Sequence, residues 1–163
     1  MSMKSAENQS STGQKSAIRI GGACGFWGDS SASTGQLLRA GNLDYIVYDY
    51  LAEITLSIMA RARQKSPDLG YATDFVEQVL GLNLKEIAAS KTKILSNAGG
   101  VNPESCAAKI REMVAAQKLD LKVAVVTGDD LLNNAASYHD AGVTEMFSGE
   151  AFPKAEKVAS INA

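Results

Sequence analysis

The feature that most constrains this chain is an alternation. Short runs of β-forming residues, each ending in glycine or a polar group, are separated by stretches with helical spacing. The runs fall at residues 17–23, 43–49, 92–96 and 121–126. Between them, residues 33–40 read as a short helix that Gly41 stops. Residues 52–64 place Ile54, Ile58, Met59 and Ala62 on one helical face. Residues 73–80 and 84–89 read as two short helices with Gly81 ending the first. Asn102-Pro103-Glu104 is a helix start, with Asn capping, Pro at the first helical position and Glu at the positive end of the dipole; that helix should run to about Lys118. Crossovers this long cannot be hairpins. They imply right-handed βαβ units and a parallel sheet. The expected fold is an open three-layer α/β sandwich, mainly parallel, Rossmann-like and incomplete; part of a βα barrel is the alternative. Residues 121–126 are the clearest strand, because a continuous apolar run suits a strand covered on both faces. A further short strand is expected at 143–147.

Composition narrows the class. At 163 residues with 45% hydrophobic and 21% charged, the chain suits one soluble domain with its own core. Residues 1–17, rich in Ser, Gln and Lys, read as a disordered tail, and 18–163 as the N-terminal portion of one domain. The net charge of -2 gives no basic bulk to attract nucleic acid or an acidic membrane. Arg61, Arg63 and Lys65 are the densest basic group and read as a solvated helix end. No apolar run approaches the roughly 20 residues of a membrane span. The two cysteines, Cys24 and Cys106, lack metal-ligand spacing, and a reducing cytoplasm is expected. The lone histidine, His139, reads as a surface residue.

In a parallel sheet the loops after the strands share one edge, and ligands bind there. Four such loops carry polar chemistry. The first holds Gly22, Gly25, Trp27 and Asp29; the second Asp49 and Glu53; the third Asn97, Gly99, Gly100 and Asn102; the fourth Gly128, Asp129 and Asp130. Gly99-Gly100 before an Asn-capped helix suits an anion nest for a phosphate or carboxylate, and equally suits a plain tight turn. The spacing Gly22-x-x-Gly25-x-x-Gly28 is not the dinucleotide fingerprint. Asp29, Asp49, Glu53, Asp129 and Asp130 would share one rim, where clustered carboxylates raise one another's pKa or hold a cation such as Mg²⁺. Asp49, Glu53 and Asp129 are the candidate proton-transfer groups. Helix capping also accounts for Asp49 and Glu53. Cys24 reads as a small buried residue more readily than as a reactive thiol. Phe26-Trp27 read as core or lid residues.

These loops carry a family resemblance. Ile20-Gly21-Gly22-Ala23-Cys24-Gly25-Phe26-Trp27-Gly28-Asp29, the block at 43–53, and Ser96-Asn97-Ala98-Gly99-Gly100-Val101-Asn102-Pro103, with residues 123–132 in continuation, resemble the core domain of the acyclic terpene utilisation (AtuA-like) proteins. The resemblance implies a role in acyclic terpenoid breakdown beside acyl-CoA enzymes. It carries over no catalytic residue, although Asp29, Asp49, Glu53, Asn97, Gly99, Gly100, Asn102, Gly128, Asp129 and Asp130 occupy motif positions. The family core extends further than this chain, so the expectation is a truncated member whose exposed apolar edge makes it either unstable or self-associating. Three functions compete. One is an enzyme or enzyme component binding an acyl-CoA or carboxylate ligand. The others are a non-catalytic partner of acyl-CoA-metabolising enzymes and a non-functional fragment.

Overall fold

The computed structural model describes residues 17–163; all but the last residue of the expected tail at 1–17 lie outside them. Three parallel strands form one open sheet in the order β1 (Ile20–Cys24), β2 (Tyr45–Tyr48), β3 (Lys93–Ser96). The sheet is open and parallel, as expected of the α/β fold, and is not closed into a barrel. Helix α1 (Ser33–Ala40) joins β1 to β2. Helix α2 (Glu53–Lys65), a π-helical stretch at Phe75–Leu80 and helix α3 (Gly81–Ser90) join β2 to β3. Helix α4 (Pro103–Ala116) follows β3, and α5 (Ala135–Asp140) lies near the end of the chain.

Each crossover steps in the same direction across the sheet. Right-handed connections in such a series fall on one face. That face carries Gly21, Ala23, Ile46, Tyr48 and Ile94, and it holds the core with Phe75, Val76, Val79, Leu84 and Ile87. Gly21 belongs there because a Cβ would sit 2.8 Å from Leu43 Cδ1 and 3.2 Å from Leu37 Cδ2, so glycine lets α1 close on the strand. The opposite face stays open: Ile20 is 63% exposed, Leu95 47% and Val47 37%. A single bulge at Ala23 shifts the β1–β2 register between Gly22 and Cys24, turning the last residue of β1 toward the strand-end loops.

Several expectations need correction. The helices expected at 73–80 and 84–89 are one continuous rod, since Gly81 continues the π-helical stretch into α3. Gly81 is spent on packing: a Cβ would lie 3.1 Å from Met113 Cε on α4. Residues 121–126 form no strand, and 143–147 contribute only an isolated bridge between Thr144 and Ala151. The helix start at Asn102 is as expected; its Oδ1 accepts from Ser105 N at 3.4 Å, while its Nδ2 donates to the carbonyls of Pro67 and Leu69. Among the described residues no helix is long and apolar enough to cross a membrane.

Candidate functional site

The carboxyl ends of the three strands stand side by side, because the register pairs Cys24 with Tyr48 and Tyr48 with Ser96. Each next residue along β2 and β3 is polar, and the two meet. Asn97 Nδ2 donates to Asp49 Oδ1 at 2.8 Å, and Asn97 Oδ1 accepts from the Tyr50 amide at 2.7 Å. The β3 loop thereby fixes both the carboxylate and the backbone of the β2 loop. Cys24 completes the row, its thiol donating to the Asp49 carbonyl at 3.7 Å and its own carbonyl accepting the Asp49 amide. Burial pushes the Cys24 thiol up; the contact with Asp49 opposes this, and the charges of Asp29 and Asp49 add to it. The sulfur is therefore held as a thiol, which disfavours a nucleophilic role.

The first loop folds over this row. Asp29 Oδ2 accepts the Gly25 amide at 3.0 Å, which closes the turn, and Gly28 takes φ +87°. Gly22 lies on the open face of β1. Trp27 is half-buried and donates Nε1–H to Asp74 Oδ1 at 2.6 Å. Phe26, expected in the core or as a lid, is exposed. Asp74 went unrecognised in the sequence: it opens the helical rod and shows no local signal beyond that. It links the first loop to the layer beneath Tyr50, whose hydroxyl is pushed up by burial and further by the Asp74 charge. Beneath the row, Tyr48 and Tyr50 pack edge-on against Phe75, with ring centroids 5.2 and 5.5 Å away.

A second group of loops forms a separate hollow of about 230 Å³, lined by Arg63, Gly100, Val101, Asn102, Thr127, Gly128 and Asp130 among others. Arg63 reaches it from α2, donating to the Val101 carbonyl and pairing with Asp130 Oδ2 at 3.0 Å. The sequence reading of Arg63 as a solvated helix end is thus corrected: its partner lies 67 residues away, where no local pattern reveals it. Burial acts to raise the Asp130 carboxyl, but the Leu132 amide and Arg63 outweigh it and hold the group below its ordinary range. Asp129 Oδ2 accepts from Asn162 Nδ2 at 3.0 Å.

The expected carboxylates therefore divide. Asp29 and Asp49 border Cys24, Asp129 and Asp130 border Arg63, and Glu53 sits exposed in the first turn of α2, where the dipole favours it. No three of the described His, Cys, Asp and Glu side chains gather into a metal-binding group. The Gly99-Gly100 nest is also largely spent. The amides of Gly100, Val101 and Asn102 donate to the carbonyls of Asn97, Gly70 and Gly99. Both glycines answer to close packing instead. A Cβ on Gly99 would lie 2.9 Å from Pro103, and Gly100 has φ +55° against Met59 and the Gly70 carbonyl. His139 is half-buried, with Nδ1 2.8 Å from the Phe152 carbonyl.

Comparison with known proteins gives one match. The sequence model of the family described as acyclic terpene utilisation family protein AtuA matches residues 18–163. No curated protein and no solved structure matches the chain.

Proposed function

The chain belongs to the acyclic terpene utilisation family, and we propose that it serves the catabolism of acyclic terpenoid and branched acyl-CoA compounds as an enzyme or enzyme component. Its ligand is an acyl-CoA or a related carboxylate, bound at the strand-end loops. The observation that carries this reading is the Asp49–Asn97 pair at the carboxyl ends of adjacent parallel strands. Open α/β sheets bind ligands at that edge, and here a carboxylate is held in a fixed orientation beside an exposed surface. Asp49 is the proton-transfer group, assisted by Glu53 from the start of α2. Asp29, Gly25 and Trp27 shape the adjoining wall. Between the strand-end row and the Arg63 hollow, an anionic group has a cation to meet only at the hollow, and because Arg63 is paired with Asp130 and shares the hollow with Glu104 and Asp129, it needs a divalent ion there to offset those carboxylates. Asp129 and Asp130 offer two carboxylates there to a divalent ion such as Mg²⁺ carried in with the ligand, and the Leu132 amide and Arg63 hold Asp130 below its ordinary range. The setting is a reducing cytoplasm, which leaves Cys24 and Cys106 as thiols.

The test is calorimetric titration of the protein with branched and straight acyl-CoA thioesters and with the free carboxylates, with and without Mg²⁺. Binding is expected to weaken at least about tenfold in Arg63→Ala, the loss of one charge-assisted contact. Asp49→Asn should bind normally and lose any turnover. Absence of binding to every member of the series refutes the reading.

A second reading rests on the open sheet face at Ile20, Val47 and Leu95. Parallel sheets are covered on both faces, so this face suits a protein surface: an acyl-CoA-metabolising enzyme, or a second copy of this chain. Nothing in the charge balance favours nucleic acid or membrane as partner. Co-purification of a defined complex, with no ligand response by the protein alone, distinguishes this reading from the first.

A further inference from the structure

Residues 121–126 have the side-chain pattern of a strand without its ladder. Leu121, Val123 and Val125 are half-buried, whereas Lys122, Ala124 and Val126 are exposed. That is the two-residue period of an extended chain against a core. Yet among the described residues no backbone group of this stretch pairs with another backbone group, and its one polar contact is the Val123 carbonyl accepting from Arg111 Nη2 at 2.9 Å.

β3 has the complementary vacancy in its ladder. It pairs only with β2. Lys93 N donates to the Asp44 carbonyl on that side, so by alternation the amides of Ile94 and Ser96 face the free edge. A cavity of about 650 Å³ is lined jointly by β3, by Leu84, Ile87 and Ile110, and by all of 121–126. Two rows of unpaired backbone groups thus border one apolar space, where unmet donors and acceptors are costly.

The ends of the stretch are compatible with parallel order. Lys91 and Thr92, at the start of β3, line the same cavity as Asp120 and Leu121. Thr127 and Gly128, at the far end, share the second hollow with Gly100 and Asn102, just past the end of β3. Helix α4 between them supplies a crossover of the ordinary βαβ kind.

We infer that residues 121–126 are a strap that closes onto the free edge of β3 as a fourth parallel strand, filling the cavity with its own side chains. Closure satisfies both backbone rows at once, and it brings the Thr127–Gly128–Asp129–Asp130 loop into line with Asn97 along the carboxyl edge. The inference rests on the burial pattern, the cavity lining and the free edge of β3, and stands whether or not the proposed function does.

The test is amide hydrogen exchange with residue resolution on the full chain. Closure predicts that the Ile94 and Ser96 amides, and alternate amides of 122–125, exchange at least about 100-fold more slowly than an unstructured chain. It also predicts inter-strand proton contacts between 94–96 and 122–125. In Ala124→Pro, a substitution at an outward-facing position, protection at Ile94 and Ser96 should fall with that of the strap while Ile46 stays protected, which shows that the sheet remains folded. Fast exchange at Ile94, Ser96 and the strap overturns the inference. So does protection of Ile94 and Ser96 that survives Ala124→Pro, or that rises with protein concentration without protection of the strap, because a second chain then occupies the edge.

Discussion

Replacing Tyr48 by Phe tests the support of the strand-end row most directly. The Tyr48 hydroxyl lies 2.7 Å from Thr34 Oγ1, and both residues are almost completely buried, at 2% and 0% exposure. The pair joins α1 to β2 one residue before Asp49. Tyr48→Phe removes one partner and leaves the Thr34 hydroxyl buried without it, a cost of about 1–3 kcal/mol. For a chain of this size that lowers Tm by roughly 3–10 °C. Thr34→Val alone strands the tyrosine hydroxyl and should cost a similar amount. The double variant removes both polar groups together and should recover much of the loss, with a coupling of about 1 kcal/mol or more. Urea unfolding of all four proteins, read by far-ultraviolet circular dichroism, measures the cycle. The alkaline limb gives an independent readout. Burial pushes the Tyr48 hydroxyl up to about 12 from an ordinary value of 10.0, against the lowering effect of Thr34. The folded state therefore keeps a proton that the unfolded chain loses first. Stability from this group is complete below pH 10.0 and falls as pH rises toward about 12; Tyr48→Phe should show a shallower fall across that window. A neutral Tyr48→Phe, or strictly additive single variants, would refute the assignment of this contact as a buried, satisfied pair.

Three further outcomes are expected. Gly100→Ala should destabilise the protein by about 1–3 kcal/mol or more in the same urea assay, because φ +55° disfavours a Cβ and Met59 and the Gly70 carbonyl occupy its space. Trp27 is the single tryptophan, so Asp74→Ala, which removes the 2.6 Å contact to its Nε1, should change the emission maximum of the folded protein; an unchanged spectrum counts against that contact. Asp130→Asn should flatten the acid limb of the stability curve. The Asp130 carboxyl is lowered from 3.8, so its contribution is present above pH 3.8 and is lost as pH falls through the folded value.

What was legible in the sequence was local and periodic. Helix α1 has the expected bounds at Ser33–Ala40, with Gly41 at φ +76° as its stop. The Asn102-Pro103 start of α4 and the three paired strands follow from capping chemistry and β-forming runs whose partners lie in the same sheet. The same local logic failed at Gly81. A glycine that looks like a stop is retained because Met113 passes over it, a fact held on a different helix. It failed again at Arg63, which reads as one of three solvated cations until the chain returns with Asp130. At the site, Asp49 and Asn97 were each visible as polar residues at strand ends, but their contact depends on register between strands 48 residues apart in sequence. The carboxylate rim was over-read for a related reason. A shared edge of the sheet sets direction, not distance: Asp29 and Asp49 gather at Cys24, while the 127–130 loop is pinned to Arg63 and Asn162.

The topology also bears on where a ligand can approach. In sheets whose strand order reverses, the crevice opens at the reversal. Here β1, β2 and β3 follow in sequence order, so no reversal falls among them. The row at Cys24, Asp49 and Asn97 therefore has no switch-point crevice among these strands; the first loop is tied to the helical rod through Trp27 and Asp74. The separate hollow is built in part by the 127–130 loop, where Arg63 joins Val101 to Asp130. A ligand long enough to touch both groups would meet Asp29 and Asp49 at one end and, at the other, an Arg63 already paired with Asp130 beside Asp129 and Glu104. Under the proposed function an anionic group reaches Arg63 there only with a divalent ion offsetting those carboxylates. Reversing the charge by Arg63→Glu should abolish binding of carboxylate ligands more completely than Arg63→Ala. If the two substitutions bind equally, the anion is held elsewhere and Arg63 plays no part in binding it.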